Sequence, residues 1–427
     1  MPEKALGLHQ ISDPPARGIR RSEILETAAR MFAISGTRTS LKDIGNECGI
    51  LPGSLYHHFE SKEAIVIELI RRYQADLDRV AADALEEQRT AIPAPLRERV
   101  IRFGQAIAGC AVRHPAALLM TLYEPPTGAS DELRQLVGQT PTAIHDAMLA
   151  ILRSDYDGRG SVRAGVDPAM LGDRLCESML RHGVADFHLG PEAQDLPDLR
   201  CRILLDGLAT NPTDTAALDT SPAVRAVAEA AALWHDGEQD NERRAHLLQV
   251  ARHEFARRGY GVTTLRDIAA ASGISAGTAY RVFPSKENLL NVIIDNFETQ
   301  RNAAWDAVLH SPSTPLEKLD ALLGLHVRLQ ERFSDEIRIQ FRFVLETPLG
   351  ARRIAAPSRL HDLERLLEAG VNSGEIRRQD LPIGLYARCV YEAFWTSEGL
   401  LRQAGPERAR ELARNTVLAG GLDREFS

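Results

Sequence analysis

The sequence predicts an all-α protein built as two tandem copies of one helical unit. Residues 41–65 align with residues 265–289 at a constant shift of 224, with eleven identities and no gap. The flanking segments place apolar residues at helical spacing, and polar caps and glycines separate the expected helices. No clear strand pattern is present. A repeated helical unit is therefore the organising feature of the chain.

The best-matched part of each copy predicts three short helices. Ile24, Leu25, Ala28 and Phe32 lie on one face of a first helix, and they match a similar set one residue out of register in the second copy. Gly36 marks the end of this helix. The apolar face indicates a small core.

Capping signals then delimit two more helices. Ser40 with Asp43, and Thr264 with Asp267, have the spacing of a capping box, which starts a second helix. Gly49 and Gly273 supply the left-handed residue that a sharp helix stop requires. A third short helix follows in each copy, and a serine then caps a longer one. The second and third helices of each copy are therefore predicted to form a helix, a tight turn and a helix.

Each copy is about 190 residues long, because a weaker similarity continues far downstream. Residues 211–222 are rich in Pro, Thr and Asp, which is typical of a linker. The predicted order is two short head domains, each followed by a long helical domain, with a linker between the copies. The predicted domain boundaries are 17–65, 66–210, 211–240 (linker), 241–289 and 290–427.

Composition excludes several classes of protein. The 427 residues are 44% hydrophobic and 26% charged, which favours large folded cores over disorder. Five widely spaced cysteines without a C-x-x-C pair indicate reduced thiols, and no metal or cofactor is expected. No stretch resembles a secretion signal or a membrane span, so a cytoplasmic protein is expected. The net charge of −8 limits any nucleic-acid contact to local basic patches.

The repeated segment resembles the N-terminal domain of the tetracycline-repressor (TetR) family of bacterial transcription regulators. That domain ends in G-x-x-Y-x-x-F-x-x-K-E, which here reads Gly53, Tyr56, Phe59, Lys62 and Glu63. The same pattern recurs in the second copy at Gly277, Tyr280, Phe283, Lys286 and Glu287. The resemblance is specific over about 45 residues of each half, and two such units in one chain depart from the family.

The resemblance implies that each third helix enters the major groove of operator DNA. It assigns base or phosphate contacts to residues at the second and third helices, and the basic residues before each first helix could follow the DNA backbone. The candidate DNA-contacting residues are Arg17, Arg20, Arg21, Thr39, Ser40, Ser54, Tyr56, His57 and Lys62, and Arg243, Arg244, Thr263, Thr264, Thr278, Tyr280, Arg281 and Lys286. For all of them, the alternative is an ordinary solvated surface.

The resemblance also implies helical domains that bind a small, mostly apolar effector. Facing helices in such bundles enclose apolar cavities. Tyr391 and Trp395, at i and i+4, lie on one helix face and are the preferred pocket residues, although ordinary core is the commoner role of such residues. The candidate ligand-binding residues are Phe103, Met120, Tyr123, Cys176 and Met179 in the first half, and Phe341, Tyr391 and Trp395 in the second.

Two reading motifs in one chain predict an internal pseudo-dimer, in which 168–209 packs on 381–418. A homodimer of tandem chains with four heads is the alternative. The recognition sequences LPGSLYHHF and SAGTAYRVF differ, which predicts an asymmetric operator. The expected function is therefore a ligand-responsive repressor with no enzymatic activity and no membrane partner.

Other interpretations stay open at this stage. The chain could be a helical enzyme or small-molecule carrier with vestigial heads, or an architectural DNA binder without an effector. The G-x-S-x-G match at 273–277 lacks the preceding strand that a hydrolase elbow requires. Adjacent His57 and His58 point in different directions on a helix, and His182, His188 and Cys176 are more simply explained as core or surface residues than as metal ligands.

Overall fold

The computed structural model describes residues 14–35, 39–90, 94–121, 124–126, 128–154, 161–185, 195–211, 214–235, 242–346 and 357–423. Of these, 14–19, 35, 52, 184–185, 343–346 and 357 are described by their backbone alone. The all-α prediction is confirmed, because the described segments form helices with only two isolated β-bridges. No helix in this part of the chain is both long and apolar enough to cross a membrane.

The first half has a three-helix head and a helical body. The head packs on the body through α1 against α6, and the long α4 connects the two. The helices are α1 (Pro14–Ser35), α2 (Leu41–Glu47), α3 (Pro52–Tyr56), α4 (Lys62–Thr90), α5 (Leu96–Arg113), α6 (Pro115–Thr121), α7 (Asp131–Gly138), α8 (Thr142–Arg153), α9 (Pro168–Ala185) and α10 (Leu196–Asp206).

The second half repeats this order after two additional helices. Its head packs on α18 as the first head packs on α6. The helices are α11 (Thr215–Asp219), α12 (Pro222–Ala232), α13 (Glu242–Arg258), α14 (Leu265–Ala271), α15 (Ala276–Val282), α16 (Lys286–His310), α17 (Pro315–Arg332), α18 (Ser334–Glu346), α19 (Pro357–Ser373), α20 (Ile383–Ala393) and α21 (Glu398–Val417).

The predicted linker, 211–240, is not an extended tether where the structure describes it. The Ser221 side chain caps α12, whose first position is Pro222, and α12 packs on α16 and α17. Ala223 and Val227 are buried in this contact. Within the linker region, the Ala-rich stretch after Ser221 therefore forms a helix whose apolar face is stabilised by its packing partners.

The two halves meet through α9 and α10 of the first and α20 and α21 of the second. Gly207 follows α10 and Gly420 follows α21, both with positive φ (73° and 91°). A Cβ on Gly207 would lie 2.4 Å from the backbone nitrogen of Gly420, so the two chain segments approach too closely for a side chain. The Leu208 amide donates to the Val417 carbonyl (2.8 Å) and the Arg377 amide to the Leu208 carbonyl (2.9 Å).

Candidate nucleic-acid interface and ligand sites

The second helix of each head begins with the same capping box. The Ser40 hydroxyl accepts from the Asp43 amide (3.2 Å), and the Asp43 carboxylate accepts from the Ser40 amide (3.1 Å). Thr264 and Asp267 form the equivalent pair, at 3.2 and 2.8 Å. Hydrogen bonds from the cap side chain and backbone lower the pKa of both carboxyls. The spacing of sequence signals identified both helix starts correctly.

These boxes leave the predicted phosphate donors engaged within the protein. The Ser40 and Thr264 hydroxyls donate to the Asp43 and Asp267 carboxylates at 2.6 and 2.7 Å. Thr39 is buried and its hydroxyl lies 3.3 Å from the Met31 carbonyl. Thr263 is fully buried and donates to the Gly259 carbonyl (2.8 Å). The expectation that Thr39 and Thr263 present hydroxyls to DNA is corrected, because these hydroxyls hold the preceding turn.

The third helices expose most of the predicted contact residues. In α3, Ser54 is exposed and Tyr56 retains 55% of its surface, and His57 follows as the exposed C-cap. In α15, Tyr280 retains 48%, and Arg281 is exposed.

Thr278 is half-buried on the same helix, and an Arg281 N–H donates to its hydroxyl (3.2 Å). The preceding glycines, Gly49 (φ 63°) and Gly273 (φ 68°), make the sharp turn that sets α3 and α15 at an angle to the second helix. Each head thus projects a short polar and aromatic helix face.

The two third helices begin differently. The Ser275 hydroxyl accepts from the Thr278 amide (3.2 Å) and caps α15. Leu51 occupies the same position before α3, makes no side-chain cap and is 77% exposed. Accordingly α3 spans five residues and α15 seven.

The basic residues of the first helices are placed unequally. The Arg21 guanidinium lies 4.0 Å from the centroid of the Phe59 ring and bonds the His58 carbonyl. Arg244 repeats this contact 4.2 Å from the Phe283 centroid and donates to the Val282 carbonyl (3.2 Å). These two arginines therefore tie the first helix to the end of the third, where the sequence analysis expected DNA-facing arms.

The remaining arm residues occupy different positions. Arg20 donates to Glu23 (2.9 Å) and to the Cys48 carbonyl (3.3 Å), and Arg243 is exposed. The side chain of Arg17 lies outside the described residues.

The motif lysines also face the protein. Lys286 donates to the Tyr260 carbonyl (2.7 Å) and lies 4.2 Å from that ring's centroid. The Lys62 ammonium lies 5.8 Å from the centroid of Phe32, and burial lowers its pKa. The prediction of a phosphate contact is not supported by this geometry, because both ammonium groups turn toward the end of the first helix.

The predicted ligand residues of the first half belong to its packed core. Phe103, Met120, Cys176 and Met179 are all buried. The Cys176 thiol lies 3.6 Å from the Ile144 carbonyl, and burial raises its pKa well above the usual value. Tyr123 lies outside the described residues.

Two predicted ligand residues of the second half line a cleft between the halves. Phe341 and Trp395 stack with ring centroids 6.5 Å apart, and the Arg181 guanidinium of the first half lies 4.5 and 4.0 Å from these centroids. The cleft has a volume of about 660 Å³. Its walls include Leu118 of α6, the body helix on which the first head packs, and Arg257 at the end of α13 in the second head.

Tyr391, the third predicted residue, lies elsewhere, in the interior of the second half. Its ring centroid is 6.3 Å from Trp305 and 5.4 Å from His326. The charged residues beside this aromatic group, Arg301 and Arg359, were not predicted from the sequence, and both are at least nine-tenths buried. The signal available was Arg301 itself, which interrupts the apolar face of α16 one turn before Trp305.

One group of side chains in the described regions has ligand types that suit a metal. Asp76, Cys110 and His114 place their ligand atoms within 4.8 Å of one another, and the Asp76 carboxylate lies 2.7 Å from His114 Nε2. Arg79 donates to the same carboxylate (2.8 Å). The arrangement is explained as an ion pair, because a neighbouring guanidinium disfavours a cation.

Of the two histidines near Cys176 in the sequence, His182 is buried and His188 lies outside the described residues.

Comparison with known proteins agrees with the geometry of the heads. The model for bacterial regulatory proteins of the tetR family matches twice, at residues 24–69 and 247–293. The HTH-type transcriptional repressor KstR2 of Mycobacterium tuberculosis (strain ATCC 25618 / H37Rv) is 28% identical over 200 residues, which cover 44% of this chain and 96% of the relative. KstR2 of Mycolicibacterium smegmatis is 29% identical over 198 residues, covering 43% and 92%.

Among solved structures, that of the ketosteroid transcriptional regulator KstR2 of Mycobacterium tuberculosis is similar, with 26% identity and a TM-score of 0.38. It covers 45% of this chain and 100% of the solved chain. Each of these relatives aligns over nearly its own full length but covers less than half of this chain. The family model matches one segment in each half.

Proposed function

The chain consists of two tandem units of the tetR family of bacterial regulatory proteins, and we propose that it is a ligand-responsive repressor whose two heads read one operator. The observation that carries the proposal is the exposure of the third helices, where Tyr56 and Tyr280 retain about half of their surface. Aromatic, hydroxyl and cationic side chains on a short projecting helix suit base edges and phosphates in the major groove.

The base-reading residues of the proposal are those that the heads expose. They are Ser54, Tyr56 and His57 on α3, and Thr278, Tyr280 and Arg281 on α15. Ser40 and Thr264 begin the second helices at the surface and would meet phosphates through rearranged hydroxyls. Arg20 and Arg243 would supply nonspecific attraction to the DNA backbone.

An internal pseudo-dimer would bring the two heads onto one duplex. Support comes from the contacts of α9 and α10 with α20 and α21, and from the close approach of Gly207 and Gly420. Twofold regulators place two recognition helices about one DNA turn apart, roughly 34–36 Å. A single chain would then act as a complete reading unit, with a mass of 47.1 kDa in solution. A homodimer of tandem chains would instead show twice that mass.

The different reading helices favour an operator with two unlike half-sites. Arg281 has a guanidinium whose paired donors match the O6 and N7 acceptors of guanine, while the equivalent residue of the first head is His57. The second head also carries more local positive charge, with eight basic and four acidic residues over 242–287. The second head is therefore expected to dominate the affinity.

Effector control would operate through the bodies. The cleft lined by Phe341 and Trp395 touches elements that support both heads, so a ligand bound there would alter the separation of the heads. The interior residues around Tyr391 are the second candidate location. In either case the effector acts by binding better to the conformation that does not span two major grooves.

Selection of bound sequences from a random DNA pool tests the proposal directly with the full chain. The expected result is a site with two unlike halves separated by about one helical turn. His57→Glu and Arg281→Glu, which each place an acid on one reading helix, are expected to lower affinity about tenfold or more and to relax preference in different halves.

Arg89→Glu is the matched control. It makes the same charge change as Arg281→Glu, but it lies in the last turn of α4, a 29-residue helix whose first turn adjoins the head. At ~1.5 Å per residue it is about 40 Å from that end, so operator affinity is expected to stay within about twofold. Enrichment of a palindrome, or no effect of His57→Glu, would contradict two-headed reading.

A further inference from the structure

The interior of the second half holds two buried arginines that share one carboxylate. Arg359 of α19 donates to Glu298 (3.1 Å) and to Asn302 (2.6 Å), both on α16. Arg301, also on α16, bonds the other oxygen of Glu298. Arg301 and Arg359 retain 7% and 6% of their surface. Both guanidinium groups are therefore withdrawn from water.

Charge in this cluster is unbalanced among the residues that the structure describes. Gln340 of α18, the next partner, is neutral, and its amide oxygen accepts from Arg301 (3.1 Å). Burial works against ionisation of Glu298, yet Arg301 and Arg359 outweigh it and lower the pKa of its carboxyl. One carboxylate thus faces two guanidinium groups, and a buried cation without a counter-charge is costly.

Another buried arginine in the same half shows the balanced arrangement. Arg414 donates to Asp320 (2.6 and 2.7 Å) and to Asp219 (2.7 Å). Arg410 lies 3.2 and 3.6 Å from the same two carboxylates, so two guanidinium groups face two carboxylates. Arg414 retains 7% of its surface, as Arg301 does. The Arg301 cluster therefore has fewer carboxylates than guanidinium groups, whereas the numbers around Arg414 are equal.

Three donors of the cluster also lack an acceptor. The Nε atoms of Arg301 and Arg359 and the indole Nε1 of Trp305 are buried with no hydrogen-bond partner within the described residues. Buried polar atoms are nearly always paired in folded proteins, so each exception calls for a physical reason. An anionic acceptor bound here would give the three donors a hydrogen-bond partner and would neutralise the surplus positive charge.

Aromatic side chains lie next to the charged group. Trp305 follows Arg301 by one helical turn and is 1% exposed. Tyr391 lies beside Trp305, and His326 lies beside Tyr391. Burial, together with Arg301 and Arg359, lowers the pKa of His326 to about 3. The His326 side chain of this aromatic group is therefore neutral at physiological pH. An apolar body and an anionic end would both find matching partners here.

The described residues of the first half do not repeat this cluster, so the fold does not require it. At the repeat shift of 224, Leu77 and Ala81 of α4 take the places of Arg301 and Trp305. Ile107 has the same position in the 18-residue α5 as His326 in the 18-residue α17. All three first-half residues are buried apolar side chains.

We propose that the interior of the second half is a binding site for an apolar molecule carrying one carboxylate, held by Arg301, Arg359 and Trp305. The proposal rests on the proposed function in so far as this molecule is the effector, and it replaces a purely apolar effector by an apolar acid. In the described part of the first half, the positions equivalent to Arg301, Trp305 and His326 hold apolar side chains, so this site is proposed for the second half alone.

Calorimetric titration of the full chain tests the site without DNA. The probes are 1-naphthoate and decanoate, each compared with its uncharged alcohol, 1-naphthylmethanol and decanol. At least one acid is expected to bind tenfold or more tightly than its alcohol, and Arg301→Met is expected to remove that preference. Arg359→Met tests the same site if Arg301→Met does not fold. The proposal is overturned if neither acid is preferred, or if both variants keep the preference.

Two control variants locate the binding. Arg414→Met removes an equally buried arginine outside the cluster and is expected to leave acid binding unchanged; Arg410→Met replaces it if that variant does not fold. Trp395→Leu alters the cleft between the halves and is expected to have no effect on acid binding. Loss of binding in Trp395→Leu alone would place the site in the cleft and overturn the proposal.

Thermal unfolding without ligand gives a second readout. Arg301→Met leaves Glu298 paired with Arg359 alone, so the midpoint is expected to stay the same or rise. Arg414→Met removes the main partner of the buried Asp320 carboxylate and leaves only the more distant Arg410 (3.6 Å), so the midpoint is expected to fall. An equal fall in both variants would show that Arg301 serves only stability. Operator affinity is measured in a separate experiment. If the acid binds but does not release DNA, the effector role is overturned and the binding site stands. If the chain does not bind DNA at all, the test of the binding site is unaffected.

Discussion

The two heads share a scaffold and differ in what that scaffold displays. Both have the same capping box, the same glycine turn, and an arginine stacked on the motif phenylalanine, Arg21 on Phe59 and Arg244 on Phe283. Their exposed third-helix residues differ at most positions. The internal contacts have been retained in both copies, while the surface that faces outward has diverged.

The cores of the two heads are connected differently to the bodies. The apolar core of the first head is continuous with the main core of the protein. The second head has its own apolar cluster, which reaches the body through Ile339 of α18. The second head therefore relies less on apolar contact with the body and more on polar contacts, such as Arg252 with Glu336 of α18 (2.6 Å) and Arg257 with Glu124 of the first half (2.9 Å).

The largest expected effect tests whether the scaffolds are equivalent. Phe59 and Phe283 are almost completely buried, so Phe59→Ala and Phe283→Ala are each expected to destabilise their own head by about 3–5 kcal/mol. Hydrogen exchange of the α2 and α14 amides measures each head separately. If one head kept its exchange protection after its substitution, the two scaffolds would not be equivalent.

The next effect tests the divergence of the surfaces. Arg281→Ala is expected to relax preference at one base pair and to cost about 1–3 kcal/mol of operator binding. His57→Ala in the first head is expected to cost less, because imidazole lacks the paired donors of a guanidinium. Binding measured across a set of single base-pair variants checks both. A uniform loss over all sequences for Arg281→Ala would contradict base reading.

A pH experiment compares the interiors of the two halves. His326 has a pKa of about 3 when folded and about 6.5 when unfolded, so only the unfolded chain takes up a proton as the pH falls below neutrality. Stability from this group is complete above pH 6.5, and about 1.4 kcal/mol is lost between pH 7.5 and 5.5.

His326→Ile, which copies Ile107 of the first half, is expected to remove that loss. Hydrogen exchange of the α17 amides at the two pH values is the measurement. An unchanged pH dependence would show that His326 does not remain neutral in the folded state.

The smallest effect concerns the start of the third helix. Leu51→Ser would give α3 the cap that Ser275 provides to α15, with an expected gain of about 1 kcal/mol in the stability of the first head. Ser275→Ala is expected to lose a similar amount in the second head. Exchange rates of the α3 and α15 amides follow both changes, and identical rates before and after would mean that the cap does not limit either helix.

The sequence identified the heads well and the ligand regions poorly. Capping boxes, glycine stops and repeated apolar positions are local signals, so α2, α14 and the turns before α3 and α15 were predicted from neighbouring residues. DNA contacts were predicted for Lys62 from its place in the family motif and for Arg21 and Thr39 from side chains that suit phosphates, but these side chains lie against Phe32, Phe59 and Met31. The type of a residue limits which contacts its side chain can make, and the packing of the folded chain decides which of these contacts form.

The sequence by itself determined that the chain is helical, doubled and equipped with two unlike reading helices, because these properties depend on periodicity and on local capping energies. The tertiary structure decided that α12 packs as a helix on the second half, that Phe341 and Trp395 meet Arg181 of the other half, and that Arg301 and Arg359 share Glu298. Apart from the i,i+3 pair of Arg301 with Glu298, these contacts join residues 60 or more positions apart in sequence, or helix faces whose partners no local pattern specifies. Their energies arise from burial and from the pairing of charge, which exist only once the helices are assembled.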